Sequence, residues 1–422
     1  MKTTIITLSV LLFSLFLVEA SANAQQTRDL QYFRAPDKTG LNVFETNKET
    51  DVEFDGFKIR IGGANTLQFQ ALENDAAGPE LEPNFNLATS NLDIDVQLHR
   101  GLRMHLRTYL SSRNHTEAWV KGGYLQVDRL DFIQDGFLDN LMDKVTIKVG
   151  HMTMNYGDAH FRRSDNGQAL FNPFVGNYIM DSFTNEVGGE VYYKDGGFLA
   201  MLGLSNSKTN QSTVKGNIST KPSLFGKLGY DTQVNPDLRV RLTGSFYRNP
   251  GSEAVRLYGG DLAGARYYNV EGTGNFTGRF NPDFTVSAFA PGGPIGGEAT
   301  SFMINPFLKF QGLEFFGMYE RASGQRANET DSRSFTQWGA ELLYRFGANE
   351  SFYLGGRYNR VDGELANGND IEVERFNIGG GWFLTNNVLT KIEYVNQSRD
   401  GFTGPLDGAG FSGVVIEAVI SF

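Results

Sequence analysis

The sequence predicts an all-β protein: a transmembrane antiparallel β-barrel of 16–18 strands, with short periplasmic turns and long extracellular loops. Three observations predict it. From Phe57 to Phe422 apolar residues recur with period two, the spacing that sends alternate side chains to opposite faces of a strand. The connections between these segments alternate between short and long, as barrels of the outer membrane require. An export signal precedes them.

Residues 1–24 form that signal. Lys2 gives a positive start, Ile5–Val18 an apolar stretch, and Ala22-Asn23-Ala24 the small residues of a cleavage site. The stretch is shorter than the ~20 residues of a spanning helix. No later segment is long and apolar enough to cross a membrane as a helix, which leaves the closed barrel as the one spanning architecture. Residues 25–56 carry no strand pattern and are expected to be a polar periplasmic leader. A plug threading the barrel is the alternative. Residues 57–422 are the outer-membrane barrel.

The composition agrees. The chain has 422 residues, 50 glycines, 13% aromatic residues, no cysteine and a net charge of −10. Without cysteine, disulfides, thiolate metal sites and cysteine nucleophiles are excluded. The acidic balance argues against nucleic acid as a partner. A mean hydropathy of −0.32 suits a barrel wall, because it averages a lipid-facing and a water-facing set of side chains.

The first clear hairpin is Leu92-x-Ile94-x-Val96-x-Leu98 followed by Leu102-x-Met104-x-Leu106. Placing Leu98 opposite Leu102 pairs Val96 with Met104 and Ile94 with Leu106. The other face then brings Asp95 to His105 and Asp93 to Arg107. Asp131–Lys144 breaks the pattern: Phe137, Leu138, Leu141 and Met142 stand at helical spacing and predict a small amphipathic helix over the barrel mouth. Alternating segments resume at Val145–Val149, Val187–Tyr193 and Phe198–Leu204. They continue at Leu238–Leu242, Phe302–Phe310, Trp338–Phe346, Phe352–Tyr358 and Phe376–Trp382. Short turns fall at Asp195-Gly196-Gly197, Asn281-Pro282-Asp283, Gln311-Gly312, Gly347–Ser351 and Thr385-Asn386-Asn387. Long polar stretches are expected at 151–185, 205–222, 248–271, 321–334, 361–372 and 398–410. The final strand, Val414–Phe422, ends on phenylalanine, as outer-membrane barrel assembly signals do.

Within this pattern Leu92–Lys194 resembles the phosphate-selective porin O and P family. Leu92–Leu110 is similar to that family's early strand pair, Gly123-Tyr124-Leu125-Gln126-Val127 to its "A-Y-L-E-Y" strand, and Val145–His151 to its "L-R-V-G-Q" strand. The resemblance implies a porin, as a homotrimer, whose third extracellular loop, 151–185, folds inward as a constriction. His151 stands where the family has glutamine, and the loop lacks a dense run of basic residues. The resemblance therefore carries architecture and not phosphate selectivity.

A barrel of this size encloses water, and charges on its inner wall bias which solutes enter. The strand phases turn Arg60, Asp93, Asp95, Arg103, Arg107, Lys148, Glu190, Arg239, Arg241, Arg345 and Arg357 inward as pore-lining residues. Asp158, Arg162, Arg163 and Asp165 are the charges of the constriction loop, expected to set a transverse field. Inward basic residues outnumber acidic ones, so a weak anion preference is expected. The function expected is passive diffusion of small hydrophilic solutes or ions across the outer membrane, with membrane lipid around the wall and no cofactor.

Two other classes stay open. A FadL-like transporter of hydrophobic ligands would use the N-terminal segment as a hatch. An outer-membrane enzyme would use Asp158, His160 and Ser164, which lie close together in one loop, although triads are defined by geometry and not by spacing.

Overall fold

The computed structural model describes residues 29–75, 80–111, 118–164, 167–208, 213, 219–259, 267–270, 276–285 and 296–422. The export signal and Asp165 lie outside the described residues. In chain order the strands are β1 (Lys58–Asn74), β2 (Asn84–His99), β3 (Leu102–Ser111), β4 (Ala118–Val127), β5 (Val145–Thr153) and β6 (Asn185–Asp195). Then come β7 (Phe198–Ser205), β8 (Ser223–Asn235), β9 (Leu238–Ser252), β10 (Tyr267–Tyr268), β11 (Phe276–Thr277) and β12 (Gly297–Phe310). The last are β13 (Leu313–Arg326), β14 (Arg333–Phe346), β15 (Phe352–Glu364), β16 (Asp370–Thr385), β17 (Val388–Asp400) and β18 (Phe411–Ser421). Sixteen of them close into one antiparallel barrel in which β9 pairs directly with β12 and β1 with β18. The short β10 and β11 form a separate ribbon within the connection from β9 to β12.

Side-chain alternation makes the wall inside-out relative to a soluble sandwich. On β1 and β2, Ile59, Ile61, Leu67 and Leu92 are exposed, while Arg60, Gln68, Asp93 and Asp95 are buried. On β14 and β15, Trp338, Leu342, Tyr344 and Leu354 are exposed, while Gln337, Glu341 and Arg357 are buried. An apolar outer belt around a polar interior is the distribution of a membrane-spanning barrel.

The predicted β2–β3 hairpin has the expected register: Val96 opposite Met104, Ile94 opposite Leu106, Asp95 opposite His105 and Asp93 opposite Arg107. Its end differs. A bulge makes His99 the partner of Leu102 in place of Leu98. The Gln97 side chain bridges the bulge, donating to the His99 and Leu102 carbonyls. At the seam, Gly63 and Phe422 exchange backbone hydrogen bonds at 3.0 Å in both directions. A Cβ on Gly63 would lie 2.6 Å from the Asn91 carbonyl oxygen, so the close approach there requires glycine.

Four expectations are corrected. Asn281-Pro282-Asp283 is not a hairpin turn; it belongs to the long connection 253–296, because turn chemistry marks a reversal without saying which end of the barrel it occupies. The loops expected at 321–334 and 361–372 are shorter than expected: β13 and β14 reach Arg326 and Arg333, and β15 and β16 reach Glu364 and Asp370. Their ends carry charge on the outward face, as in the cluster of Arg360 with Asp362 and Glu372, both at 2.7 Å, and turn Val361, Ile371 and Val373 inward. This is the reverse of the mid-wall pattern, so the alternation there does not read as a lipid-facing strand. Asp131–Lys144 forms one helical turn, Asp139–Met142, because Gly136 and Leu138 adopt positive φ of 73° and 56° and stop a longer helix. Met142 is buried, whereas Phe137, Leu138 and Leu141 are exposed. The fourth concerns the leader. Residues 29–56 do not run away from the barrel; they bond to its inner wall, where Asn42 donates to Glu314 of β13 at 2.7 Å and the Gln31 N–H to Gln97 Oε1 of β2 at 3.1 Å.

Candidate functional site

Three elements enter the barrel. The first is the N-terminal strap, residues 29–57. The second is the third long connection, L3 (154–184). The third is the fifth, L5 (253–296). They fill the lumen unequally. L3 and L5 lie mainly against the wall from β8 to β18. They touch Gln70 and Leu72 of β1 and Glu190 of β6, and leave the rest of the wall from β1 to β6 facing a cavity.

The filled half is a hydrophobic core built from loops and wall. Ile179 and Met180 of L3, with Val255, Leu257 and Tyr258 of L5, pack with the inward Met303, Phe307, Phe316, Met318 and Val361. Lower on the same side, Leu170, Phe171 and Phe174 pack on Leu343, Tyr353, Phe383 and Leu389. L3 is too irregular to bond its own backbone, and buried carbonyls need partners. Wall cations supply them. Lys391 donates to the carbonyls of Ala169 and Phe174 at 2.9 and 3.1 Å, Arg357 to Gly176 at 2.6 Å and Arg375 to Asn177 at 2.6 Å. In return, wall amides accept from the loop: Ile179 N–H donates to Asn359 Oδ1 at 2.6 Å and Met180 N–H to Gln337 Oε1 at 2.8 Å.

The loop charges singled out in the sequence face this wall. Asp158 accepts two N–H bonds from Arg241 at 2.8 and 2.9 Å and one from Lys227 at 2.9 Å. Burial alone would raise its carboxyl; the Arg241 and Lys227 cations outweigh burial and hold it below the usual range. Arg162 lies between Glu314 and Glu341, 2.9 Å from each. Arg163 pairs with Asp181 at 2.9 Å. All three are buried in ion pairs against the wall, which anchor the loop and present no charge to the cavity. Arg345 and Arg357 point inward but are likewise covered, bonded to Glu314 and Glu341 at 2.8 Å each. Glu190 accepts from the Asn155 N–H at 2.8 Å and from the Tyr192 hydroxyl. Arg239 pairs with Asp231 at 2.7 Å near the short-turn end.

Asp158, His160 and Ser164 are not joined. Asp158 is committed to Arg241 and Lys227, Ser164 Oγ accepts from Asn172 at 2.7 Å, and His160 Nδ1 has no hydrogen-bond partner among the described residues. Burial, with the Lys227 cation nearby, pushes the His160 imidazole down to about 3 and keeps it neutral. The three share a loop without forming a relay. Among the described residues no cluster of three or more His, Asp or Glu could hold a metal ion.

The open half holds a cavity of about 200 Å³. Arg60, Asp93, Asp95, Arg103, Arg107 and Lys148 line it from the wall, His160, Phe161 and Phe171 from L3, and Phe33, Arg34 and Glu45 from the strap. The β2–β3 register explains its pairing. Arg107 grips Asp93 with two bonds of 2.6 Å, and Asp95 accepts from Arg103 at 3.1 Å with His105 Nδ1 at 2.8 Å. Lys148 stands apart: its ammonium lies 4.9 Å from the Tyr124 ring and 5.8 Å from that of Tyr192, with no carboxylate at ion-pair distance among the described residues. A second, wider cavity opens at the short-turn end beside Asp195-Gly196-Gly197 and is lined by the strap from Val43 to Phe54. Phe44, Glu45 and Lys194 line both cavities.

Sequence reasoning missed the strap's residues, above all Arg34, Asn42 and Glu45. The segment has no periodicity, and the only signal was its density of charged and amide side chains, which a solvated leader shares.

No protein-family model matches the chain, and no curated protein does. Solved structures do. An anion-selective porin from Comamonas acidovorans superposes with a TM-score of 0.56 at 13% identity, covering 87% of this chain and 100% of that one. The outer-membrane channel DcaP of Acinetobacter baumannii gives 0.56 at 11%, covering 88% and 99%. The trimer form of OmpT of Vibrio cholerae gives 0.55 at 12%, covering 87% and 100%. These likenesses extend over the whole barrel and are not specific to the O and P phosphate porins; what the chain shares with them is the 16-stranded antiparallel fold of outer-membrane porins.

Proposed function

We propose that this chain is an outer-membrane porin through which small hydrophilic solutes and ions diffuse passively, with a preference for anions. The path follows the β1–β6 wall from the long-loop end through the 200 Å³ cavity, past Phe44, Glu45 and Lys194, into the wider cavity at the short-turn end. One observation carries the reading. The smaller cavity is lined by seven basic residues (Arg34, Arg60, Arg103, Arg107, Lys121, Lys148, Lys194) against three acidic ones (Glu45, Asp93, Asp95). Unequal fixed charge in a narrow, low-dielectric passage concentrates counter-ions. The net charge of −10 resides elsewhere.

The short turns face the periplasm and the long connections the exterior in this reading, and the chain assembles as a homotrimer. The outer face of β3–β5 supports that assembly. Its described outward residues, such as Met104, Leu106, Gly123, Leu125, Ile147 and His151, include no Phe, Tyr or Trp, whereas Trp338, Tyr344, Tyr358, Phe376, Trp382 and Tyr394 stud the opposite face. A wall sector without interfacial aromatics suits contact with a neighbouring barrel better than contact with lipid.

A strap inside the lumen also fits a hatch for hydrophobic ligands, and planar-bilayer recording separates the two. A porin gives ohmic current steps, and its reversal potential in a KCl gradient has the sign of chloride preference. A closed transporter gives no steps.

A further inference from the structure

We propose that the N-terminal strap, and not L3, sets the selectivity of the path, with Arg34 as its specificity-determining residue; this rests on the channel reading above. L3 is the element expected to constrict the lumen, but its described charges Asp158, Arg162 and Arg163 are buried against the wall. The strap instead lies across the open half. Residues 33–36 and 44–46 line the upper cavity, residues 43–45 and 47–54 the lower. The strap is the partition between the two cavities, and the three residues common to both include its Phe44 and Glu45.

The partition is held at both ends and in the middle. Gln31 N–H donates to Gln97 Oε1 at 3.1 Å, and Gln31 Oε1 accepts from Gly101 N–H at 3.0 Å. Asn42 donates to Glu314. Glu45 pairs with Arg241 at 2.7 Å and Lys227 at 3.1 Å. Lys48 pairs with Asp128 at 3.0 Å, and Lys194 donates to the Thr46 carbonyl. A segment fixed at so many points presents its side chains to the path as rigidly as a strand does.

The charges that these bonds leave over decide what the partition does. Glu45 is spent on two wall cations. Arg34 is not spent: it donates to the carbonyls of Gly40 and Phe161 at 3.0 and 3.3 Å, its guanidinium lies 3.8 Å from the centre of the Phe171 ring, and no described carboxylate lies at ion-pair distance. The strap therefore adds one cation to a passage whose wall offers Lys148 and Lys194, likewise with no described carboxylate at ion-pair distance. The ligand these three fit is a small hydrated anion.

The test is the chloride-to-potassium permeability ratio from reversal potentials in KCl gradients, using the full chain. Arg34→Ala is expected to lower the ratio about 2-fold or more, and Arg34→Glu to lower it further, as reversing one charge in a narrow pore does. Arg34→Lys is expected to hold the wild-type ratio, which separates charge from packing. Retention of the wild-type ratio in Arg34→Glu, with Lys148→Ala lowering it, would overturn the strap's role and leave the channel standing. Absence of current from the wild-type chain would overturn the channel reading and this inference with it.

Discussion

Arg241 on β9 grips Asp158 of L3 with two N–H bonds, at 2.8 and 2.9 Å. The same guanidinium reaches Glu45 of the strap at 2.7 Å, so one wall cation fixes both inserted elements. Removing one partner of a buried ion pair costs about 3–5 kcal/mol, because the other charge stays buried. Arg241→Ala is accordingly expected to lower the urea midpoint of the refolded barrel in detergent micelles. Arg321→Ala, on the exposed outer face, is expected to leave it within experimental scatter. Equal midpoints for the two variants would contradict the clamp.

The same pairs fix a pH dependence. For both Glu45 and Asp158 burial raises the carboxyl, and Arg241 and Lys227 more than offset it, so each titrates below its ordinary value. A depressed carboxyl contributes stability that is fully present above its unfolded value, about 4, and that is lost as pH falls through the folded one. Protease resistance of the strap should thus be constant from pH 8 to about 5 and fall only below about 4. A loss centred between pH 6 and 7 would contradict the assignment.

Arg162 separates anchoring from filtering. It bridges Glu314 and Glu341 and is sealed from the cavity. Arg162→Ala is expected to destabilise the barrel by about 3 kcal/mol while the permeability ratio keeps its wild-type value. A shifted ratio with an unchanged urea midpoint would return the filter to L3.

Gly63 tests closure. Its missing Cβ is what lets β1 approach Asn91 and Phe422. Gly63→Val is expected to cut the yield of folded barrel, read as the loss of the heat-modifiable band on gels, whereas Ala71→Val, on the outer face of the same strand, keeps it.

The barrel was legible because its signal is local and repetitive. Ile94, Val96, Met104 and Leu106 alternate with Asp93, Asp95, His105 and Arg107, and one register satisfies both faces. The same logic turned Arg60, Arg103, Arg107 and Lys148 inward. It failed where side chains answer to partners far along the chain. Asn42 bonds Glu314, and Glu45 bonds Arg241, across separations that no periodicity records, so the strap read as solvated leader. Arg357 of β15 reads as free lumen charge, although, like Arg375 and Lys391 of the next two strands, it is the partner of an L3 carbonyl. A charge that faces water and one that satisfies a buried backbone look alike in sequence.

In the proposed path the β1–β6 half of the lumen conducts and the opposite half is sealed. The chain has no cysteine, so thiol-specific modification during recording tests it directly. Lys148→Cys faces the cavity, and Asn359→Cys lies on the covered wall, where Asn359 is fully buried. A negatively charged methanethiosulfonate reagent is expected to reduce the current and the anion preference of Lys148→Cys and to leave Asn359→Cys unchanged. Modification of Asn359→Cys with Lys148→Cys unaffected would contradict it.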